Sequence, residues 1–80
     1  MEDLLLNLAK LHTTALGAGR IKRNLGLDTD DVVAWCTQKI NDPGCVVIRR
    51  GKNWYACIGG CEITVNARSY TIITAHRMHT

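Results

Sequence analysis

Serine occurs once in this chain, at Ser69, and proline once, at Pro43. No apolar run reaches the length needed to cross a bilayer. A lone serine in a turn-like stretch gives little support to a serine-based triad. Nor is there a glycine loop between a strand and a helix that could cradle a nucleotide. Gly17-Ala18-Gly19 lies inside a helical stretch, and Gly59-Gly60 joins two strands. Paired C-x-x-C knuckles are missing too: eight residues separate Cys36 from Cys45, and three separate Cys57 from Cys61. Zinc is therefore not favoured, no cofactor is expected, and the four cysteines read as small buried hydrophobes. The start, Met1-Glu2-Asp3-Leu4, is acidic where a secretory signal is basic, so a cytoplasmic placement with reduced thiols is expected.

Acid is also missing from two long stretches. Lys10, Arg20, Lys22 and Arg23 fall between Leu4 and Leu27 without a carboxylate, and Arg49, Arg50 and Lys52 do the same between Pro43 and Cys61. The formal charge is only +3, but two acid-free segments can converge into one positive surface that attracts phosphate.

At 80 residues the chain has room for one domain, spanning 1–80, and one modest core. Leucines at 4, 5, 8 and 11 predict a first helix from Glu2 to about Leu11. Thr14 reads as the N-cap of a second helix through Asn24, stopped near Gly26. Asp28 reads as the cap of a third, with Asp30 and Asp31 in its first turn and Val32, Val33, Cys36 and Ile40 as its buried stripe. Trp35 projects beside that stripe and reads as packing. The period then becomes strand-like. Cys45–Arg50, Trp54–Ile58, Cys61–Asn66 and Tyr70–His76 alternate with Gly51-Lys52-Asn53, Gly59-Gly60 and Ala67-Arg68-Ser69 as turns. The expected fold is α+β, with N-terminal helices over about 2–41 packed on a four-stranded antiparallel meander over about 45–77. In the last hairpin, the expected register puts Thr71, Ile73 and Ala75 on the apolar face with Ile63 and Val65. Glu62, Thr64, Tyr70, Thr74 and His76 are then on the other face, and a two-residue loop would exchange the faces of the second strand.

The reactive inventory left is His12, His76 and His79, the cationic side chains, Glu62 and several hydroxyls. It suits metal-independent cleavage of RNA by its own 2′-hydroxyl, which needs a base, an acid and cations on the phosphorane. Histidine titrates near neutrality and can serve as base or acid.

The order of elements, with His12 and Arg20, "LGLDTDDVVAW", the basic "VIRRGKNWY" hairpin and a last strand "YTIITAH", resembles the small nucleases grouped with barnase, EndoU, the colicin-type ribonucleases and RelE-like toxins. The "LHTT", "GRIKRNLGLD", "GKNWY" and "SYTIITAH" segments also look like those of a small bacterial and phage family with no assigned activity. The first resemblance implies a cytosolic, toxin-like ribonuclease. His12 and His76 would be base and acid, Arg20 and Lys52 would hold the phosphate, and Thr74 would orient it. Lys22, Arg23, Arg49, Arg50, Trp54 and Tyr55 would contact RNA. An acidic antitoxin is the partner this implies. The rival expectation is a non-catalytic phage or mobile-element module that docks on a host protein or nucleic acid through the basic hairpin.

Overall fold

The computed structural model describes residues 4–78, and His79 lies outside them. A 3-10 helix (Leu5–Lys10) is followed by α1 (Ala15–Leu25), α2 (Val32–Ile40) and strands β1 (Val46–Arg50), β2 (Asn53–Ile58), β3 (Cys61–Asn66) and β4 (Ile72–Arg77). The strands form one antiparallel sheet in the order β1-β2-β3-β4. The expected α+β meander is the observed one.

Both α-helices start where short oxygen side chains can accept backbone amides. Thr14 Oγ1 accepts from Gly17 N at 3.0 Å, as the sequence predicts. In α2 the cap is Asp31, not Asp28, and Asp31 accepts from Ala34 N at 3.0 Å. Asp31 immediately precedes the first helical residue, so its side chain reaches the amide three residues on, the geometry of a cap. Asp30 pairs instead with Lys22 on α1, whose charge and hydrogen bond hold its carboxyl below the usual range. The first segment also departs from expectation. Asn7 at φ −129° breaks the helical path, so a kinked 3-10 helix forms. Leu4 and Leu11 are buried, Leu8 packs on the core and Leu5 is exposed.

The core lies between the helices and one face of the sheet. Ile21 and Leu25 of α1, and Val32, Cys36 and Ile40 of α2, meet Trp54, Ala56, Ile63, Val65, Ile72 and Ala75. Trp35 packs at its margin beneath Lys39. Burial pushes the Cys36 thiol up to about 12, which makes it an inert core group. Cys45 and Cys57 are half-buried with raised pKa values, chiefly through burial, and all four cysteines are free thiols.

α1 runs along the free edge of β4. Thr13 Oγ1 donates to Ile72 O at 2.8 Å, Asn24 Nδ2 to Ala75 O at 3.3 Å and Arg77 to Leu25 O at 3.0 Å. Eleven helical residues at about 1.5 Å each span roughly the length of this strand. The start of α1 therefore lies beside Ile72 and its end beside Arg77.

The last hairpin corrects the expected register. Ile63 faces Ala75 and Thr64 faces Thr74, but Val65 faces Ile72, with Ile73 the extra residue of a β-bulge. Ile72 is fully buried and Ile73 is 36% exposed, the reverse of the predicted faces. Tyr70 is turned the other way as well: it packs on Trp54 with ring centroids 5.2 Å apart. Thr64, Thr74, Glu62 and His76 share the outer face, as the sequence predicts. Two-residue turns close the other hairpins, with Gly51 at φ 60° and Gly59 and Gly60 at φ 56° and 77°. Such backbone is accessible to glycine without Cβ strain.

Candidate nucleic-acid interface

One end of the sheet gathers the β1–β2 turn, the β3–β4 turn and the segment before α1. Lys52 O accepts from Ala67 N at 2.8 Å, joining the two turns. Asn66 Oδ1 accepts from Arg68 N, Ser69 N and Ser69 Oγ at 2.9–3.1 Å, so a single amide oxygen organises the β3–β4 turn. Between them lies a cavity of about 600 Å³ lined by Arg49, Lys52, Asn66, Ala67 and Arg68.

Of its cations, Arg49 is held in place. Arg49 donates through Nε to Gly51 O at 3.0 Å, and its guanidinium lies 5.8 Å from the Trp54 ring centre. Trp54 stacks in turn on Tyr70, and Lys10 Nζ stands 5.3 Å from the Tyr70 ring centre. The result is a ladder of cation, indole, phenol and cation. It holds Tyr70 at φ 61°, a conformation costly for a bulky residue. Among the described residues Lys22 pairs with Asp30, His76 Nε2 stands 3.7 Å from Glu62 Oε1, and Arg49, Lys52 and Arg68 meet no carboxylate. Of the described acids, Asp28, Asp30 and Asp31 follow the C-terminal end of α1, Asp42 precedes β1, and Glu62 sits opposite His76. The described acids thus lie toward the opposite end of the strands from Arg49, Lys52 and Arg68.

His12 belongs to the basic end. Its backbone N–H donates to Tyr70 O at 3.3 Å, and its carbonyl accepts from Ile72 N at 2.7 Å. Nδ1 lies 2.9 Å from Lys10 O, and Nε2 lies 3.0 Å from Thr71 Oγ1. A carbonyl can only accept, so Nδ1 carries a proton toward Lys10 O, and Nε2 and the Thr71 hydroxyl share the second hydrogen bond. Thr71 Oγ1 is 2.7 Å from Ser69 Oγ, which continues the chain toward Asn66.

His76 is elsewhere. It lies on the outer face at the far end of β4, with Nε2 3.7 Å from Glu62 Oε1. Thr71 and His76 are five residues apart along an extended strand, which is about 16 Å. The structure therefore sets His12 and His76 toward opposite ends of β4. Thr74 shares the outer face with His76, and Lys52 sits at the opposite hairpin tip. Arg20 and Arg23 are exposed on α1, and Lys22 is engaged with Asp30. Trp54, expected to contact RNA, is 3% exposed and belongs to the core, so it offers no platform. Tyr55 is half-buried on the outer face, with the Arg50 guanidinium 5.6 Å from its ring centre.

Sequence reasoning missed Lys10, Asn66, Arg68, Ser69 and Thr71. The spacing of Asn66 and Ser69 around Arg68 is a turn signal that could have brought this basic loop forward. Among the described residues no cluster of His, Cys, Asp or Glu could hold a metal ion, and no helix is long and apolar enough to cross a membrane. Comparison with curated proteins and with solved structures finds no match. Residues 5–76, nearly the whole chain, match a family described as "Protein of unknown function (DUF3781)", and the chain belongs to that family.

Proposed function

We propose that the chain binds RNA through the basic end of its sheet, with Arg49, Lys52 and Arg68 holding backbone phosphates. The observation that carries this reading is the cavity in which these three cations converge with no carboxylate of the described residues beside them. Unpaired cations on a fixed frame form a phosphate-binding surface, and phosphate contacts supply most of the affinity of such complexes. The choice of RNA over DNA follows from the resemblance to small ribonucleases, not from the cavity. Cleavage by His12 and His76 together is not part of the proposal, because Thr71, which His12 contacts, and His76 lie about 16 Å apart along β4.

The test is fluorescence anisotropy with a labelled 12-nucleotide RNA in chelator, across a salt series. Three phosphate contacts to a single strand give a log–log salt slope of about 2, or roughly 20-fold weaker binding between 50 and 200 mM salt. Arg49→Ala, Lys52→Ala and Arg68→Ala should each weaken binding and lower the slope by about 0.7. Lys22→Ala, which removes a cation already paired with Asp30, should change neither. Salt-insensitive binding, or equal losses from all four variants, would refute the reading. RNA cleavage in chelator that His12→Ala and His76→Ala both abolish would restore the nuclease reading in its place.

A further inference from the structure

The helices pack on one face of the sheet, and no described element covers the other. We propose that this outer face stacks unpaired bases, so that the ligand of the basic end is single-stranded and not duplex. The inference rests on the nucleic-acid reading above and deepens it.

Register places Ile48, Tyr55, Thr64 and Thr74 in one row across the outer face, with Arg50, Asn53 and Asn66 in the next row toward the basic end. Tyr55 is the aromatic group of this surface. Its hydroxyl lies 3.5 Å from Asn53 Nδ2, and the exposed Arg50 guanidinium stands over its ring without a carboxylate partner among the described residues. A base sliding between that guanidinium and the phenol ring would be sandwiched by a cation and an aromatic face, and every base has a face to offer. Ile48 and Ile73 are both partly exposed and extend the apolar floor.

Thr64 adds an independent observation. It is only 7% exposed, and among the described residues its hydroxyl makes no hydrogen bond. Buried polar groups nearly always have partners, and an unmet hydroxyl beside Tyr55 is suited to the edge of a stacked base. Charge sets the boundary of the footprint. Arg50 and the basic cavity lie at one end, whereas Glu62, engaged with His76, lies at the other and would repel phosphate. A strand whose backbone follows the hairpin end can lay its bases across the near rows. A duplex cannot, because its bases are already paired and stacked.

The experiment is an anisotropy comparison, at one salt concentration, of a 12-nucleotide oligouridine and a 12-base-pair RNA duplex. The single strand should bind at least tenfold tighter. Tyr55→Ala should weaken single-strand binding about fivefold or more and leave duplex binding unchanged. Tyr55→Phe should retain affinity, and Glu62→Gln should not lose it. In the unaltered protein, oligouridine should shift the methyl resonances of Ile48 and Thr64 while leaving those of buried Ile21 in place. This measurement decides the matter even if Tyr55→Ala fails to fold. Equal affinity for strand and duplex, or outer-face methyls that do not move on binding, would overturn the proposal while Arg49→Ala and Arg68→Ala still weaken binding. Loss of that cation dependence would instead overturn the reading on which it rests.

Discussion

Gly17 lies against the β4 edge, where a Cβ would stand 3.6 Å from Ile72 O, and the close approach makes an unusual sign reversal measurable. A Cβ at position 17 would fall far inside van der Waals contact of Thr13 Oγ1 and 3.2 Å from Thr14 Oγ1. Thr13 Oγ1 is the donor that satisfies Ile72 O, so moving it breaks the clasp between helix and strand. Gly17→Ala alone should gain about 0.5–1 kcal/mol from helix propensity. Against this stands the lost hydrogen bond with its buried carbonyl left unmet, which costs about 1–3 kcal/mol. The net expectation is destabilisation by about 1 kcal/mol, or roughly 4–8 °C in Tm for a domain of this size. Thr13→Ala removes both the hydrogen bond and the obstruction. In that background Gly17→Ala should stabilise, by up to about 0.5 kcal/mol because Thr14 Oγ1 is still close. Urea denaturation of the four proteins, with m held constant, gives the coupling directly. If Gly17→Ala has the same effect in both backgrounds, or stabilises the unaltered chain, Thr13 is not what excludes a side chain there.

Two further perturbations check the bulge and the core thiol. Ile72→Ala should cost about 2–5 kcal/mol and the adjacent Ile73→Ala less than about 1, whereas a bulge-free strand with the predicted faces would reverse that order. The Cys36 thiol is raised from 9.0 in the unfolded chain to about 12 in the fold, so between those values the unfolded state releases a proton that the folded state keeps. Stability should therefore fall as pH rises above 9, by about 1.4 kcal/mol per unit from this group alone. The slope should drop by that amount in Cys36→Ala, and an unchanged slope would mean that the thiol ionises within the fold.

The helices and strands were legible in the sequence because their signals are local. Thr14 stands beside a helical run, and apolar residues alternate through Cys61–Val65. The bulge was not legible. Ile72 and Ile73 are chemically identical, and nothing in the strand says which is the extra residue. That choice follows from the β3–β4 turn, where Tyr70 adopts φ 61° against Trp54, a residue sixteen positions earlier. The α2 cap was misread for a related reason: three aspartates lie within four residues, and only packing decides which one precedes the first turn. At the site, the basic hairpin was visible as an acid-free segment. The convergence of Arg68, Lys10 and His12 on it required the pairing of His12 with Thr71, a contact across 59 residues that no local pattern announces. The same pairing separates the two histidines whose chemistry seemed complementary in one dimension.

The two edges of the sheet are treated differently. α1 occupies the hydrogen-bonding groups along β4, but β1 presents its unpaired backbone outward, with Val46 and Ile48 exposed beside it. An open strand edge of this kind is a template for self-association, and charge on the strand is the usual protection. Here the protecting charges are Arg49 and Arg50, the same side chains that face the cavity and Tyr55. On the proposed reading, solubility and ligand recognition then draw on one pair of arginines, and variants that neutralise both should aggregate as well as lose affinity.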